Sequence, residues 1–310
     1  MLRFTLLLSF FLLFAQVVTY GQCCSAGNPS AFSFTDNFTL KSRTLTLSSS
    51  YKYGYSGKYY AGSEPEEVSF TAPASYSFID LKAAYGISKR ITVQAGSGYF
   101  FAKEQQNPDP YPPDLGYGIG DAELNVRYRV YKSVTNHIEL TASAGIRLPV
   151  GVFDLEKDGV KLPITVQPSS GSFVYLGSFS AAKSFENNKL KLFSSLFAEF
   201  PQLIASKNFY YHYGNLYNFS ITAAYPVHKL FNPALQLQAE LREHATREEA
   251  QVVDASGYKV IILSPQIASD FGNNWSVFIY VDLPVYRYFN GMQLASSFKT
   301  GISLSRRFSL

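Results

Sequence analysis

Two cysteines, two methionines and a single tryptophan are all that 310 residues contain of those types, and only 16% of the chain is charged, against roughly a quarter in soluble domains. Cys23 and Cys24 are adjacent, so they cannot staple one part of the fold to another. Lipidation of Cys23 is disfavoured because Gln22 precedes it, where a small residue is the rule. The four histidines, His137, His212, His228 and His244, have no paired spacing that would hold a metal, and no cofactor motif is present. A formal charge of +4 is too small to point to nucleic acid or an acidic partner. After Gly21 no apolar run is long enough to cross a bilayer as a helix.

What is abundant is aromatic: 26 Phe and 23 Tyr bring that class to 16%. Many aromatics, little charge and no long apolar run together fit a barrel that spreads its apolarity over alternate positions. A secreted β-sandwich is the competing reading. The first residues are of another kind. Arg3 precedes an apolar run from Phe4 to Val18, and Thr19-Tyr20-Gly21 places small residues where a signal peptidase reads. Residues 1–21 are therefore read as a secretory signal, cleaved before Gln22.

From residue 43 onward, period-two alternation dominates. In the last segment Phe298, Thr300, Ile302, Leu304, Arg306, Phe308 and Leu310 share one face, and Lys299, Gly301, Ser303, Ser305, Arg307 and Ser309 share the other. Comparable patterns predict twelve strands at 43–56, 75–86, 90–101, 119–131, 137–148, 172–185, 189–200, 215–226, 234–246, 258–269, 274–286 and 297–310. The connections alternate: 57–74, 102–118, 149–171, 201–214, 247–257 and 287–296 are long, whereas 87–89, 132–136, 186–188, 227–233 and 270–273 are short. Short inner turns, long outer loops, an even strand number and both termini on one side describe a transmembrane antiparallel up-and-down β-barrel of the bacterial outer membrane. A sandwich gives no reason for such regularity. The prolines within Asn107–Asp114 exclude a central strand there, and tyrosines crowd the loop edges as an interfacial girdle would. The domain reading is signal 1–21, an N-terminal segment 22–42 and a barrel 43–310. The N-terminal segment has no alternation and is either a plug in the lumen or a periplasmic tail.

Several segments resemble the outer-membrane transporter family labelled "putative MetA-pathway of phenol degradation", a relative of the long-chain fatty acid transporters. They are Tyr85–Val93, Gly118–Leu124 continuing through Arg127-Tyr128-Arg129, Ala144–Gly151, Leu283–Tyr286 and Arg306-Arg307-Phe308. The similarity is spread over 75–310 and departs from the family's pattern at Lys89 and Leu310. It implies a barrel for passive uptake of small hydrophobic or aromatic compounds, with outer-membrane lipid and the barrel-assembly machinery, reading the C-terminal strand, as its partners. The alternative is a structural or surface-recognition barrel with a shut lumen.

The register assigns Asp80, Lys82, Arg90, Asp121, Glu123, Arg127, Arg129, Glu139, Arg147, Glu240, Arg242, Asp282, Lys299 and Arg307 to the lumen. There they either tune selectivity or brace the barrel as ion pairs. Twelve strands lie between the packed eight-strand size and open porins, so a narrow or plugged pore is expected. Tyr99, Phe100, Phe101 and Tyr111 are expected as outer-loop aromatics. No Ser–His pair with an orienting amide is apparent, and His244 shares the inward register of Glu240 and Arg242, so no enzyme is expected. Mass measurement of the mature protein from outer-membrane material should show Gln22 as the first residue and no lipid on Cys23; retention of residues 1–21 would refute the signal reading.

Overall fold

Alternation dictates where each side chain goes, because successive residues of a strand point to opposite faces. The structure, a computed structural model, describes residues 37–310 except 69–71, 109, 186–188, 207–208, 229, 249 and 273. The expected signal and most of the N-terminal segment lie outside the described residues. The main strands are β1 (Thr44–Gly62), β2 (Ala74–Gly86), β3 (Ile91–Gln105), β4 (Asp114–Ile119), β5 (Ala122–Ser133) and β6 (Ile138–Leu148). They continue with β7 (Val174–Phe185), β8 (Leu190–Pro201), β9 (Leu216–Ala224), β10 (Asn232–Arg242), β11 (Tyr258–Phe271) and β12 (Trp275–Ser309). Among the described residues there is no helix.

Apart from β4 and β5, which both pair with β3, each strand pairs antiparallel with its sequence neighbours, and β12 pairs with β1, so the sheet closes on itself. Closure is continuous from Thr44 opposite Ser309 to Tyr55 opposite Phe298. The Leu310 N–H completes it by donating to the Arg43 carbonyl at 2.8 Å. β4 and β5 follow one another along β3 as a single stave, broken at Gly120-Asp121. β12 turns back on itself at Asn290-Gly291: Phe289 is opposite Tyr258 of β11 on one side and Gly62 of β1 on the other. The Arg307 N–H donates to the Asn274 carbonyl at 3.0 Å across the resulting hairpin. Twelve staves result, all antiparallel.

Alternation is plainest in β5. Leu124, Val126, Tyr128 and Val130 are 44–49% exposed, whereas Arg127 between them is 5% exposed. An apolar side chain left bare on a barrel's outside, with a guanidinium turned inside, is the inverse of a soluble protein and suits a surrounding lipid phase.

Two sequence expectations are corrected. Residues 287–296, expected as a long outer loop, are strand with a tight turn. Alternation continues past Tyr286, and Asn290-Gly291 is itself the hairpin signature, with Gly291 at φ +64° where a side chain is disfavoured. On the outer side β1 and β3 run to Gly62 and Gln105, several residues beyond the expected ends. The long connections also carry short strands of their own: Glu64–Glu66, Glu156–Lys157, Val160–Lys161, Ile204–Ser206, Phe209–His212, Thr246–Arg247 and Gln251–Val252.

Arg in place of Val126 or Ile279, both on the bare outer face, should cost about 2–4 kcal/mol at mid-bilayer and deplete folded barrel. Ser303, whose hydroxyl meets Ser50 Oγ at 3.0 Å, is on the opposite face, and Arg there should be milder. Heat-modifiable gel migration reads the difference; equal tolerance at the three sites would contradict the register.

Candidate functional site: the lumen and its closures

Charges inside a barrel remain ionised only if they are paired or hydrogen-bonded. Lys52, 2% exposed, meets Asp80 Oδ2 at 3.1 Å, and Lys82 meets the same oxygen at 3.2 Å. Glu139 holds Arg129 at 3.1 Å and Lys132 at 2.7 Å. Arg127 donates to Gln94 Oε1 and to the Phe38 carbonyl. Higher up, Glu199 receives Arg147 at 2.8 Å and Arg242 at 3.5 Å, and Arg147 also meets Glu123 at 3.6 Å. Removing one partner from such a buried pair leaves an uncompensated charge, costing about 3–5 kcal/mol.

Of the residues assigned to the lumen, Asp80, Asp121, Arg127 and Arg147 are buried. Lys82, Glu123, Arg129, Glu139, Glu240, Arg242, Asp282 and Lys299 are half-buried. Arg90 and Arg307 are exposed. Arg90 belongs to the turn before β3 and Arg307 to the end of β12, at the rim where the barrel wall gives way to solvent. Phe100, expected as an outer-loop aromatic, is corrected. It is 1% exposed and packs on Phe78 inside the barrel, ring centroids 4.4 Å apart, because alternation along β3 turns it inward between Tyr99 and Phe101. Tyr99 and Phe101 are on the exposed side of β3, and Tyr111 is exposed in the connection 106–113. Sequence reasoning missed Lys52, Lys103 and Glu199. Lys52 was legible, since it alternates with Tyr51 and Tyr53. Glu199 was not, because it shares its face with Phe197 and Phe193.

The outer mouth is filled by the connection 149–173, which the sequence marked only as a long loop. Leu162 and residues 164–170 are buried. Asp121, at the break between β4 and β5, receives Ser169 Oγ at 2.5 Å, Ser170 Oγ at 2.6 Å and the Ser170 N–H at 3.2 Å. Lys103 donates to the Gln167 carbonyl at 2.8 Å. The Gln167 amide in turn holds the loop together, donating to the Leu155 and Leu162 carbonyls and accepting from the Leu155 N–H. Gly116 lets the loop approach: a Cβ there would be 1.7 Å from the Val166 carbonyl oxygen. From the neighbouring loop Tyr213 donates to the Ser170 carbonyl at 3.2 Å, and burial pushes its hydroxyl pKa up. Above this, Lys161 covers the rings of Phe153 and Phe209 at 4.2 and 5.2 Å.

At the inner end, residues 37–42 enter the barrel. The Phe38 ring meets Phe193 at 5.8 Å, its carbonyl accepts from Arg127 at 2.9 Å, and the Leu40 N–H donates to Thr92 Oγ1 at 2.9 Å. Two cavities lie within the barrel among the described residues. The lower, about 100 Å³, is lined by Phe38, Tyr76, Phe193, Phe197, Phe278 and Tyr280, by serine, threonine, asparagine and glutamine side chains, and by Glu240, Asp282 and Lys299. The upper, about 70 Å³, is bordered by Arg147, Glu199 and Arg242 and by Ser170 and Tyr213 of the loops. They share no lining residue, and the Arg147–Glu199–Arg242 belt stands between them.

Substituting Asp121 by Ala removes the carboxylate that receives Ser169 and Ser170. The orphaned donors cost about 1–3 kcal/mol, so protease cleavage within 149–173 and single-channel conductance should both rise. Unchanged cleavage and conductance would show that the loop is not held by this residue.

No family model matches the chain, and no curated protein matches it. Among solved structures, an outer-membrane channel from Pseudomonas putida F1 aligns with TM-score 0.73 and 13% identity, covering 90% of this chain and 100% of that one. The transport unit of the autotransporter AIDA-I from Escherichia coli aligns with TM-score 0.51 and 11% identity, covering 92% and 95%. The fold is that of bacterial outer-membrane β-barrels, the architecture that the sequence resemblance implied.

Proposed function

We propose that the chain is a passive channel of the bacterial outer membrane for small hydrophobic or aromatic compounds, and that it catalyses no reaction. The observation that carries this reading is the lower void, where six aromatic side chains stand among serine, threonine, asparagine and glutamine, with Asn37 and Phe38 bordering it. A porin for ions and sugars needs a continuous water column, and the Arg147–Glu199–Arg242 belt and the seated loop 149–173 both stand across this lumen. The bare apolar outer face supplies the lipid contact, and the alternating C-terminal strand supplies the segment on which assembly machinery would act. The similarity to a channel from Pseudomonas putida supports the fold on which this reading rests. The segment 22–42, whose last residues line the lower void, is the proposed inner plug. The lumen charges, mostly ion-paired, brace the wall and define the two compartments.

A second reading, surface recognition, draws on the strands Ile204–Ser206, Phe209–His212, Thr246–Arg247 and Gln251–Val252, which form a small sheet from two outer connections, with Tyr210 exposed. Proteoliposomes separate the two. After subtraction of empty liposomes, a labelled small aromatic solute should enter faster than a sugar of similar size, and deletion of residues 22–42 should raise ionic conductance. Equal rates for both solutes would indicate an open water pore. No rate above empty liposomes, with unchanged conductance on deletion, would leave surface recognition as the function.

A further inference from the structure

Exposed charge is sorted by sign between the two ends of the barrel. On the inner turns and strand ends (38–43, 87–90, 131–138, 183–191, 225–233, 269–276 and 305–310), the described residues include nine exposed cations and one exposed carboxylate, Asp270. On the outer connections and strand ends (56–74, 102–121, 149–173, 201–215, 242–259 and 286–297) the balance reverses, with nine exposed carboxylates and three exposed cations. Both ends meet water, and solubility asks for charge at each but for no particular sign. A separation this complete gives the inner rim a field that attracts anions.

Two of these cations are on the lipid side of the wall. Arg306 follows Ile302 and Leu304, both exposed, in the outward register of β12. Its guanidinium lies over the Trp275 ring at 5.2 Å and the Phe308 ring at 4.8 Å. Lys183 follows Tyr175 and Phe179, both exposed, in the outward register of β7, and its ammonium lies over the Phe185 ring at 4.7 Å. Neither side chain makes a hydrogen bond or an ion pair among the described residues. Ring contact engages the face of a guanidinium and leaves its in-plane N–H donors for another acceptor. Arg306 and Lys183 are six staves apart in the ring of twelve, on opposite sides of the barrel. Lys89, Arg90 and Lys132, in the turns between, continue the rim on one side.

We propose that the inner rim is a binding surface for anionic phospholipids of the inner leaflet, with Arg306 and Trp275 forming its best-defined headgroup site. The Arg306 guanidinium donates to the phosphodiester oxygens. Trp275 and Phe308 hold it at headgroup depth, where aromatic side chains of membrane proteins collect. This holds whatever the cargo of the lumen. An acidic protein docking beneath the mouth is the other partner that a basic rim fits. Such a protein would meet the cations of the turns but not Arg306 and Lys183, which project sideways among lipid-facing rings on opposite sides. A surrounding ring of phosphates meets all of them.

Trp275 is the only tryptophan of the chain, so its fluorescence reports this site alone. The full mature chain is reconstituted in phosphatidylcholine vesicles carrying a minor fraction of either phosphatidylglycerol or phosphatidylcholine with brominated acyl chains. Quenching of Trp275 is normalised to the same mixture without bromine. Phosphatidylglycerol should occupy the site about fivefold more tightly than phosphatidylcholine, the effect of one basic side chain at an anionic surface. Arg306→Gln should abolish that preference and leave quenching by brominated phosphatidylcholine unchanged, whereas Arg306→Lys should keep most of it. Raising salt from about 0.05 M to about 0.5 M should weaken the wild-type preference by screening. Heat-modifiable migration verifies that each variant is folded. Should Arg306→Gln not fold, wild type and Arg306→Lys in the two salts decide the matter. A preference unmoved by salt, or a folded Gln variant that retains it, would overturn the proposal. Equal quenching by the two lipids in the wild type would overturn it as well and leave the basic rim to an acidic protein partner.

Discussion

In hydrocarbon there is no water to satisfy a backbone N–H or C=O, and each unpaired group costs several kcal/mol. A sheet in that medium has no tolerable edge, and the pairing of β12 with β1 is the condition on which everything else in this chain depends. Once the ring closes, alternate side chains are assigned irrevocably to lipid or to lumen. The apolar ones on the outside are then correctly placed, and the polar ones have only one another to pair with. Lys52 with Asp80 and Arg147 with Glu199 follow from closure as much as from the residues themselves.

Most of the barrel was legible for this reason. Period-two alternation is a direct record of a wall with lipid on one side, and β5, with Leu124, Val126, Tyr128 and Val130 set against Arg127 and Arg129, can be read from the letters alone. What escaped reading was of two kinds. Strand ends on the outer side escaped because the sheet projects beyond the membrane, where lipid no longer enforces the alternation. Phe100 is another case: it lies within the expected strand 90–101 and alternates with Tyr99 and Phe101, so its inward position was legible. The loop 149–173 escaped because its seating depends on partners distant in sequence. Asp121 reaches Ser169 and Ser170, Lys103 reaches the Gln167 carbonyl, and Gly116 leaves room for Val166, none of which has a local signature. The hairpin at Asn290-Gly291 is a different case, since its signal was present and was outweighed by the expectation of a long loop.

The candidate site was half legible. The charged residues of the inner wall could be drawn from register, and most are where the register puts them. The uncharged lining could not, because serine, threonine and glutamine in alternate positions look the same whether they face water, lipid headgroups or a substrate. Gln266 and Tyr280 become neighbours only through the register of β11 with β12. That register follows from the whole ring and not from either strand.

The inner wall separates two obligations by strand. The strand residues that hold the closures by hydrogen bonds, Lys103, Gln105, Asp121, Arg127, Thr92 and Glu139, lie on β3, at the β4–β5 break, on β5 and on β6. The uncharged lining of the lower void lies mainly on the remaining strands. Substitutions that reshape the lining therefore leave most of the fastenings alone, and changes in the fastenings leave most of the lining alone. A barrel so arranged can change the chemistry of its lower compartment through single replacements on one arc, with the contacts that seat the loop 149–173 and residues 38–40 inherited intact.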